Sequence, residues 1–208
     1  MDLVEKQVLD KVCAPTLNQV RSALGLAPAN RILGTWVHST DRVLCLFPDW
    51  FAAPQPDWPD GHVTSGFPLF DDARGDIDDE REAFLAAGRA PVVFTPGSTL
   101  IDQDAYFRAA DEALRMTDTR AIFLIHSCPP SLRKRSDVLV RDYVPLRMLL
   151  PRCAAIVHHS GIGTAALAFA SGTPQVLTAF AHDQFDNAQR ITRTGCGICV
   201  DNPANGRR

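Results

Sequence analysis

The 208-residue chain lacks the features that would place it in a membrane or on nucleic acid. No apolar run reaches the ~18 residues that a membrane-spanning helix requires, and the acidic, mixed-charge start is unlike a signal peptide. The formal net charge is only -3, so neither nucleic acid nor an anionic membrane is favoured as the main partner. We therefore expect a cytoplasmic protein with no transmembrane segment and no nucleic-acid partner.

Several catalytic and metal-binding motifs are also missing. The sequence contains no G-x-S-x-G nucleophile elbow, no G-x-x-x-x-G-K-[ST] phosphate loop and no H-E-x-x-H zinc pair. Its six cysteines are scattered, mostly within apolar runs, as is typical of reduced and buried thiols. Cys196 and Cys199 have CxxC spacing, but no second pair completes a zinc site. We expect neither a bound metal nor a redox centre.

Composition divides the chain into three parts. Residues 1–70 hold a helical pattern interrupted by Pro15, two short apolar runs, and a segment rich in proline and aromatic residues, 48–59, that we expect to be an ordered loop. Residues 71–88 are acidic and predict a solvated connector that leads into a short helix. Residues 89–208 carry a regular α/β pattern, so we place the domain boundary at the connector.

The last part alternates apolar runs with helical patterns. Strands are predicted at 91–95, 121–125, 138–140, 154–157, 175–178 and 197–200, and helices at 102–116, 146–150, 165–171 and 184–194. Continuous apolar strands that alternate with helices predict a doubly wound, Rossmann-like parallel sheet, in which ligands bind beyond the carboxyl ends of the strands. No helical pattern follows the last strand, so we expect a chain truncated at its C-terminus.

The most informative stretch is 157–164, Val-His-His-Ser-Gly-Ile-Gly-Thr, where an apolar strand ends in two histidines and a glycine-rich turn before a helix. The free amides and the positive dipole end of a helix N-terminus attract anions, and glycine allows a phosphate to approach the backbone. Neighbouring residues of a strand face opposite ways, so one histidine can be structural while the other faces a ligand. This stretch predicts an anion-binding turn.

Two further turns follow predicted strands at the same edge. Residues 95–99, Thr-Pro-Gly-Ser-Thr, offer amides and hydroxyls to phosphate oxygens, although Ser98 as a simple helix N-cap would also explain them. Asp183 and Gln184 place a carboxylate beside an amide, which suits the vicinal hydroxyls of a sugar, and an N-cap is again the alternative. Together the three turns indicate a ligand in which a sugar is joined to phosphates.

These segments resemble the C-terminal, donor-binding half of the GT-B glycosyltransferases, and within them the bacterial UDP-glycosyltransferase, sterol glucosyltransferase and rhamnosyltransferase group. The resemblance rests on five segments: Tyr143 to Pro145, Leu149 to Cys153, Val157 to Thr164, Ser171 to Gln175 and His182 to Ala188. It implies that the domain at 89–208 binds a UDP- or dTDP-sugar without a metal or other cofactor, and that residues 1–70 are the end of the N-terminal domain and a linker.

The resemblance also implies which residues contact the donor. The diphosphate would be held by Ser98, His159, Ser160, Gly161, Gly163 and Thr164, the base would lie against Tyr143 and Val144, and the sugar would contact Asp183 and Gln184. Ser160 stands where the family commonly has glycine, so its side chain would either crowd the phosphate or add one hydroxyl to it. The general base belongs to the family's N-terminal acceptor domain, so no catalytic base is expected within this sequence.

The resemblance leaves the function of the isolated chain open. It predicts an inverting hexosyl transfer to an acceptor hydroxyl; the alternatives are a non-catalytic nucleotide-sugar-binding module, a subunit of a split glycosyltransferase, and a sugar-nucleotide epimerase of related fold. The aromatic segment containing Trp50, Phe51 and Trp58 is explained either by packing of the linker or by a pocket for an apolar acceptor such as a lipid or sterol. A homodimer or a separate acceptor-domain subunit is the expected partner.

Overall fold

The structure, a computed structural model, describes residues 5–70, 78–97, 103–126 and 129–200. The chain separates into two compact units between Gly66 and Phe67. The ring of Phe67 stacks on Phe169, a residue of the second unit, with ring centroids 6.1 Å apart. The end of the predicted linker therefore packs with the second unit, a few residues before the acidic connector.

The first unit consists of helices and a small parallel sheet. Its elements are a π-helix (Glu5–Leu9), α1 (Asp10–Ala23), a second π-helix (Ile32–Trp36), β1 (Val43–Cys45) and β2 (His62–Thr64). The helical pattern around Pro15 allowed one or two helices, and α1 continues through the proline with the loss of one main-chain donor. The helix ends at Ala23, and Gly25, with a φ of 68°, allows the N–H of Leu26 to bond the carbonyl of Arg21 at 2.9 Å.

The proline-rich segment that joins β1 to β2 is an ordered loop held by aromatic contacts. Phe47 packs against Phe51 with ring centroids 6.4 Å apart and edge-on against Trp58 at 5.9 Å. Trp58 in turn meets the ring of His62 at 5.4 Å. Offset and edge-on contacts of this kind stabilise loops that have few main-chain hydrogen bonds. Within this unit the aromatic residues pack mainly against one another.

The second unit is the doubly wound α/β domain that the sequence predicted. Its strands are β3 (Val92–Thr95), β4 (Ala121–Leu124), β5 (Val138–Arg141), β6 (Ala155–His158), β7 (Gln175–Leu177) and β8 (Gly197–Cys199). Its helices are α2 (Asp79–Ala86), α3 (Gln103–Thr117), α4 (Pro130–Arg133), α5 (Leu146–Leu149), followed by a 3-10 turn (Leu150–Arg152), α6 (Ile162–Ser171) and α7 (Gln184–Arg193). Among these elements, α4 alone was not predicted.

All six strands are parallel and lie in the order β5-β4-β3-β6-β7-β8. The chain winds outward from β3 to β5, returns to the middle at β6, and then winds outward in the other direction. Two neighbouring strands, β3 and β6, therefore send their following loops to opposite sides of the sheet. In open α/β sheets the crevice at such a switch point, beyond the carboxyl ends of the strands, is where ligands bind.

Both faces of this sheet are buried, which explains the continuous apolar strands. On one face Val93 lies in register with Ile122 and Ile156, and all three are fully buried. The next residue, Phe94, points to the other face and stacks on Phe123 with ring centroids 4.7 Å apart. Because successive side chains of a strand alternate in direction, a strand covered on both faces is apolar at consecutive positions, as Val93 and Phe94 are.

The edge strand β8 accounts for an error in the cysteine prediction. Cys196 and Cys199, like Cys13 in the first unit, are exposed rather than buried, and Cys128 lies outside the described residues. Because β8 is extended, residues three apart are about 10 Å apart, too far for a disulfide between the two thiols.

No helix in the described part of the chain has the length and apolar character to cross a bilayer.

Candidate functional site

Two of the three turns singled out in the sequence begin side by side, at the switch point between β3 and β6. Thr95 and His158 are paired in register as the last residues of the two strands. Gly97 follows β3, and the turn from His159 to Gly161 leads from β6 into α6. No side chain caps the N-terminus of α6, whose 10 residues begin after Gly161. The first amides of this helix therefore point, without intrahelical partners, toward the crevice.

His158 is the structural member of the histidine pair. It is fully buried, its Nδ1 accepts the N–H of Ser160 at 3.2 Å, and its Nε2 lies 3.0 Å from Oε1 of Gln175. Since Nδ1 accepts, the proton is assigned to Nε2, which donates to Gln175. Burial lowers the pKa of His158 to about 4, and the neighbouring His159 acts in the same direction. The imidazole is therefore neutral near pH 7.

His159 faces the crevice and is half-buried. Its ring lies between the backbones of two glycines: a Cβ atom at Gly97 would lie 2.6 Å from Nδ1, and one at Gly161 would lie 3.0 Å from Cε1 and overlap Nε2. Burial lowers the pKa of His159, while the backbone of Thr95 and the carboxylate of Asp183 raise it. The ring is thus held beside the N-terminus of α6. An anion bound there would raise the pKa of the imidazole and so favour its protonated form.

Ser160 shapes the turn through its backbone. It is fully buried and has a φ of 67°, in the left-handed region that glycine adopts without strain. Its N–H donates to His158, and its carbonyl accepts Nδ2 of Asn187 at 3.1 Å. Its hydroxyl is buried and has no hydrogen-bond partner among the described residues. The side chain is thus enclosed within the turn, and its contact with a phosphate stays a prediction.

The first turn of α6 is open on its outer side. Gly163 is exposed, and nothing lies within 4 Å of the position that a Cβ atom would take there. Thr164, one residue further, is half-buried. A phosphate can therefore approach the main chain at Gly163 as closely as van der Waals contact with a backbone allows, which is the geometry that glycine-rich anion sites use.

The turn after β7 brings a carboxylate and two amides to the same edge. Asp183 is exposed and stands at the N-cap position of α7, as the N-cap interpretation predicted, but its side chain makes no capping hydrogen bond. It accepts Nδ2 of Asn187 at 2.8 Å instead. Gln184 is buried, and its Oε1 accepts the amides of Phe180 and Ala181 at 2.8 and 3.1 Å. The acceptor oxygen of Gln184 is thus already used within the turn.

Asn187 is the residue that the sequence reasoning missed. Its side-chain amide bonds both Ser160 and Asp183, although it is nearly buried and carries no charge. One signal was available, because Asn187 follows Asp183 by four residues and so shares its face of α7. The contact with the β6–α6 turn comes from a residue 27 positions earlier, which no local pattern indicates.

The predicted base-binding residues lie further along the same edge. Tyr143 and Val144 follow β5, the outermost strand on that side, three strands away from β6. Neighbouring strands are ~4.8 Å apart, so these residues are on the order of 14 Å from the diphosphate turn. Tyr143 is 59% exposed, whereas the side chain of Val144 is 3% exposed and packs in the core. For Val144, only its backbone remains for contact with a ligand.

Two further predictions concern Ser98 and the binding of a metal ion. Ser98 lies outside the described residues; Gly97, just before it, has a φ of 78°. Within the ranges that the structure describes, no group of three or more His, Cys, Asp and Glu side chains is arranged to hold a metal ion. The site as described therefore consists of helix amides, one histidine and one carboxylate.

Residues 105–206 match the family described as "Erythromycin biosynthesis protein CIII-like, C-terminal domain". Glycosyltransferase GtfC of Amycolatopsis orientalis is 34% identical over 199 residues, which cover 90% of this chain and 45% of that protein. The vancomycin aglycone glucosyltransferase of the same organism is 32% identical over 196 residues, with 90% and 45% covered. The chain thus spans about half the length of the curated relatives it matches.

Solved structures show the same fold. The glycosyltransferase of kitacinnamycin superposes with a TM-score of 0.70 at 24% identity, covering 88% of this chain and 47% of that one. The calicheamicin glycosyltransferase CalG4 superposes with a TM-score of 0.60 at 20% identity, covering 89% and 45%. Both relatives are named as transferases, and neither is named as an epimerase. The chain belongs to the GT-B glycosyltransferase family and corresponds to the C-terminal half of that fold.

Proposed function

We propose that the second unit binds the nucleoside-diphosphate sugar donor of an inverting glycosyltransferase at the crevice between β3 and β6. The observation that carries the proposal is the meeting of the uncapped N-terminus of α6 with His159 and Asp183 at the switch point of the sheet. A helix N-terminus and a histidine suit a diphosphate, and a carboxylate suits hydroxyl groups.

Each part of the donor has a place along this edge. The diphosphate lies over Gly163 and Thr164 and accepts hydrogen bonds from the first amides of α6 and from His159. The sugar lies toward Asp183, whose free carboxylate lone pairs accept from its hydroxyls. The nucleoside extends toward Tyr143 and the backbone of Val144; the span of ~14 Å between the two ends suits a nucleoside diphosphate. Ser98 and Gln184 stay predictions as further donor contacts.

In the transfer step, an acceptor oxygen attacks the anomeric carbon and forms the new glycosidic bond. The bond from that carbon to the β-phosphate oxygen breaks on the opposite face, its electron pair leaves with the nucleoside diphosphate, and the anomeric configuration inverts. Negative charge grows on the departing phosphate, where the dipole of α6, its amides and a protonated His159 stabilise it. The acceptor's proton passes to a base that we expect in the N-terminal half of a full-length enzyme.

For the acceptor and the protein partners, we propose only the class of molecule. One relative is named for glucosyl transfer to the vancomycin aglycone, which supports an aglycone hydroxyl as the acceptor. A lipid or sterol acceptor stays a prediction that rests on the aromatic residues of the first unit, of which Trp50 is 56% exposed. We propose that transfer requires an acceptor domain, supplied by a longer chain or by a separate subunit. We place this reaction in the cytoplasm.

Isothermal titration calorimetry with UDP and dTDP tests donor binding. We expect one of the two to bind the wild type, and His159→Ala to weaken that binding by about tenfold to a hundredfold, the size of a charge-assisted hydrogen bond. His62→Ala, in the first unit, is the matched control and should bind as the wild type does. A folded wild type that binds neither nucleotide would refute the proposal.

The alternative is a donor-binding module that does not catalyse transfer by itself. Activity assays on the same preparation distinguish an active transferase from a donor-binding module. Release of free sugar from a UDP- or dTDP-hexose, or its transfer to an aglycone, identifies an active transferase. Nucleotide binding that is accompanied by neither reaction identifies a module that needs an acceptor-binding partner.

A further inference from the structure

The conformation of Ser160 is held from both sides by buried side chains. On one side Nδ1 of His158 accepts its N–H at 3.2 Å, and on the other Nδ2 of Asn187 donates to its carbonyl at 3.1 Å. His158 belongs to β6 and Asn187 to α7, and both side chains are buried. A non-glycine residue in the left-handed region costs about 1–2 kcal/mol, and these two bonds offset that cost.

Gln175 completes the arrangement from the neighbouring strand. It lies on β7 and is 1% exposed. Its Oε1 accepts a hydrogen bond from Nε2–H of His158 at 3.0 Å. This bond leaves Nδ1 of His158 as the acceptor that the N–H of Ser160 requires. If Gln175 were replaced by an apolar residue, the Nε2 proton of His158 would lose its acceptor, so the tautomer that bonds Ser160 would be less favoured and that bond would weaken.

Asn187 ties the same turn to the carboxylate. One of its amide hydrogens goes to Ser160 and the other to Oδ2 of Asp183, at 2.8 Å. A single planar amide therefore sets the distance between the β6–α6 turn and Asp183. The planar group cannot move toward one partner without leaving the other.

We propose that His158, Gln175 and Asn187 are positioning residues that hold Ser160 in its left-handed conformation and thereby aim the first amides of α6 at the donor diphosphate, with Asn187 also aligning Asp183 for the sugar. This inference rests on the proposed function, because it assigns roles within the donor site. None of the three side chains is required to touch the donor. Their effect passes through the backbone of Ser160 and the carboxylate of Asp183.

Rescue by glycine tests the role of Ser160. Gln175→Leu and Asn187→Ala should each weaken UDP or dTDP binding by about tenfold, the size of one lost buried hydrogen bond. Glycine adopts a φ of 67° without steric cost, so adding Ser160→Gly to either variant should restore most of the lost affinity. Ser160→Gly alone supplies the reference affinity with which each double variant is compared. Each of the two variants can be interpreted without the other if one does not fold.

Thr173→Val is the matched control for loss of a buried hydrogen bond. Thr173 is buried just before β7, at the opposite edge of the sheet, and donates to the carbonyl of Leu150 at 3.0 Å. Its loss should lower the melting temperature about as much as Gln175→Leu does but leave nucleotide affinity unchanged. Affinity that follows melting temperature in all variants, or absence of rescue by Ser160→Gly, would overturn the proposal while wild-type binding still supports the donor site. A wild type that binds neither nucleotide would overturn both.

The link to Asp183 has its own measurement, the ratio of UDP-glucose to UDP affinity. Gln175→Leu acts only on the diphosphate turn and should weaken both ligands equally. Asn187→Ala also releases Asp183, so it should weaken UDP-glucose several-fold more than UDP. If Asn187→Ala changes the two affinities by the same factor, Asn187 does not position Asp183.

Discussion

The imidazole of His159 occupies the space that a side chain at Gly161 would need. A Cβ atom at Gly161 would overlap Nε2 and lie 3.0 Å from Cε1, while on the opposite side a Cβ at Gly97 would lie 2.6 Å from Nδ1. The two glycines therefore leave a slot one imidazole wide at the end of β6. The slot fixes the ring beside the first turn of α6, where a diphosphate would need a donor.

Gly161→Ala should displace His159 and so disturb both stability and binding. Overpacking of this kind costs about 1–3 kcal/mol of unfolding free energy, and nucleotide affinity should fall because the imidazole leaves the mouth of α6. Chemical denaturation and calorimetry measure the two effects. Gly66→Ala, where nothing lies within 4 Å of the added atom, is the control.

The cause of the instability can be checked with a double variant. In a background of His159→Ala the ring that Gly161→Ala would strike is absent, so the added methyl group should cost much less unfolding free energy. Equal costs in the two backgrounds would show that the methyl group of Gly161→Ala strains something other than the imidazole.

Gly163→Ala should separate stability from binding. Alanine is favoured over glycine in a helix by about 1 kcal/mol, and open space surrounds the new Cβ, so the unfolding free energy should rise by about 0.5–1 kcal/mol. Nucleotide affinity should nevertheless fall, because the methyl group occupies the space where a phosphate would approach the backbone. A more stable variant with undiminished affinity would place the diphosphate elsewhere.

The sequence was sufficient for the parallel sheet because its strands are buried on both faces. Val93 and Phe94 point to opposite faces and both are apolar, so the run reads as a parallel strand. The contrasting behaviour of His158 and His159 also followed from alternation along a strand. Such features depend only on residues close together in the chain, which is why they could be predicted.

Features that depend on distant contacts were out of reach. Asn187 bonds the carbonyl of Ser160 across 27 positions of sequence, and Gln184 turns its oxygen toward the amides of Phe180 and Ala181. The sequence also could not show that Cys199 lies in an exposed edge strand, because strand order is not written in local composition. In each case the identity of the partner decides what the residue does.

The buried His158 should make the stability of the fold depend on pH. Its pKa is about 4 in the folded chain and ~6.5 when unfolded, so between these values only the unfolded chain takes up the proton. The stabilisation is complete above pH 6.5 and declines as the pH falls, by about 2 kcal/mol at pH 5 and about 3 kcal/mol at pH 4. Urea denaturation at pH 7 and pH 5 should show a smaller difference for His158→Asn than for the wild type. Equal differences would mean that His158 accepts a proton in the folded chain.

Nucleotide binding should be coupled to protonation of His159. In the free protein, burial lowers the pKa of this ring, so it is mostly neutral at pH 7.5. A bound diphosphate raises the pKa by placing negative charge beside the ring, so binding takes up a fraction of a proton. Affinity is then greatest at low pH and declines as the pH rises through the pKa of the bound state.

Calorimetry in two phosphate-free buffers with different ionisation enthalpies, such as HEPES and Tris at pH 7.5, measures this proton directly. The binding enthalpy of the wild type should differ between the buffers in proportion to the proton taken up. His159→Asn keeps a hydrogen-bond donor but cannot be protonated, so its buffer dependence should be smaller, and any remainder reports protonation of the nucleotide itself. The same buffer dependence in both proteins would mean that a neutral His159 holds the diphosphate, with α6 alone stabilising the charge of the leaving group.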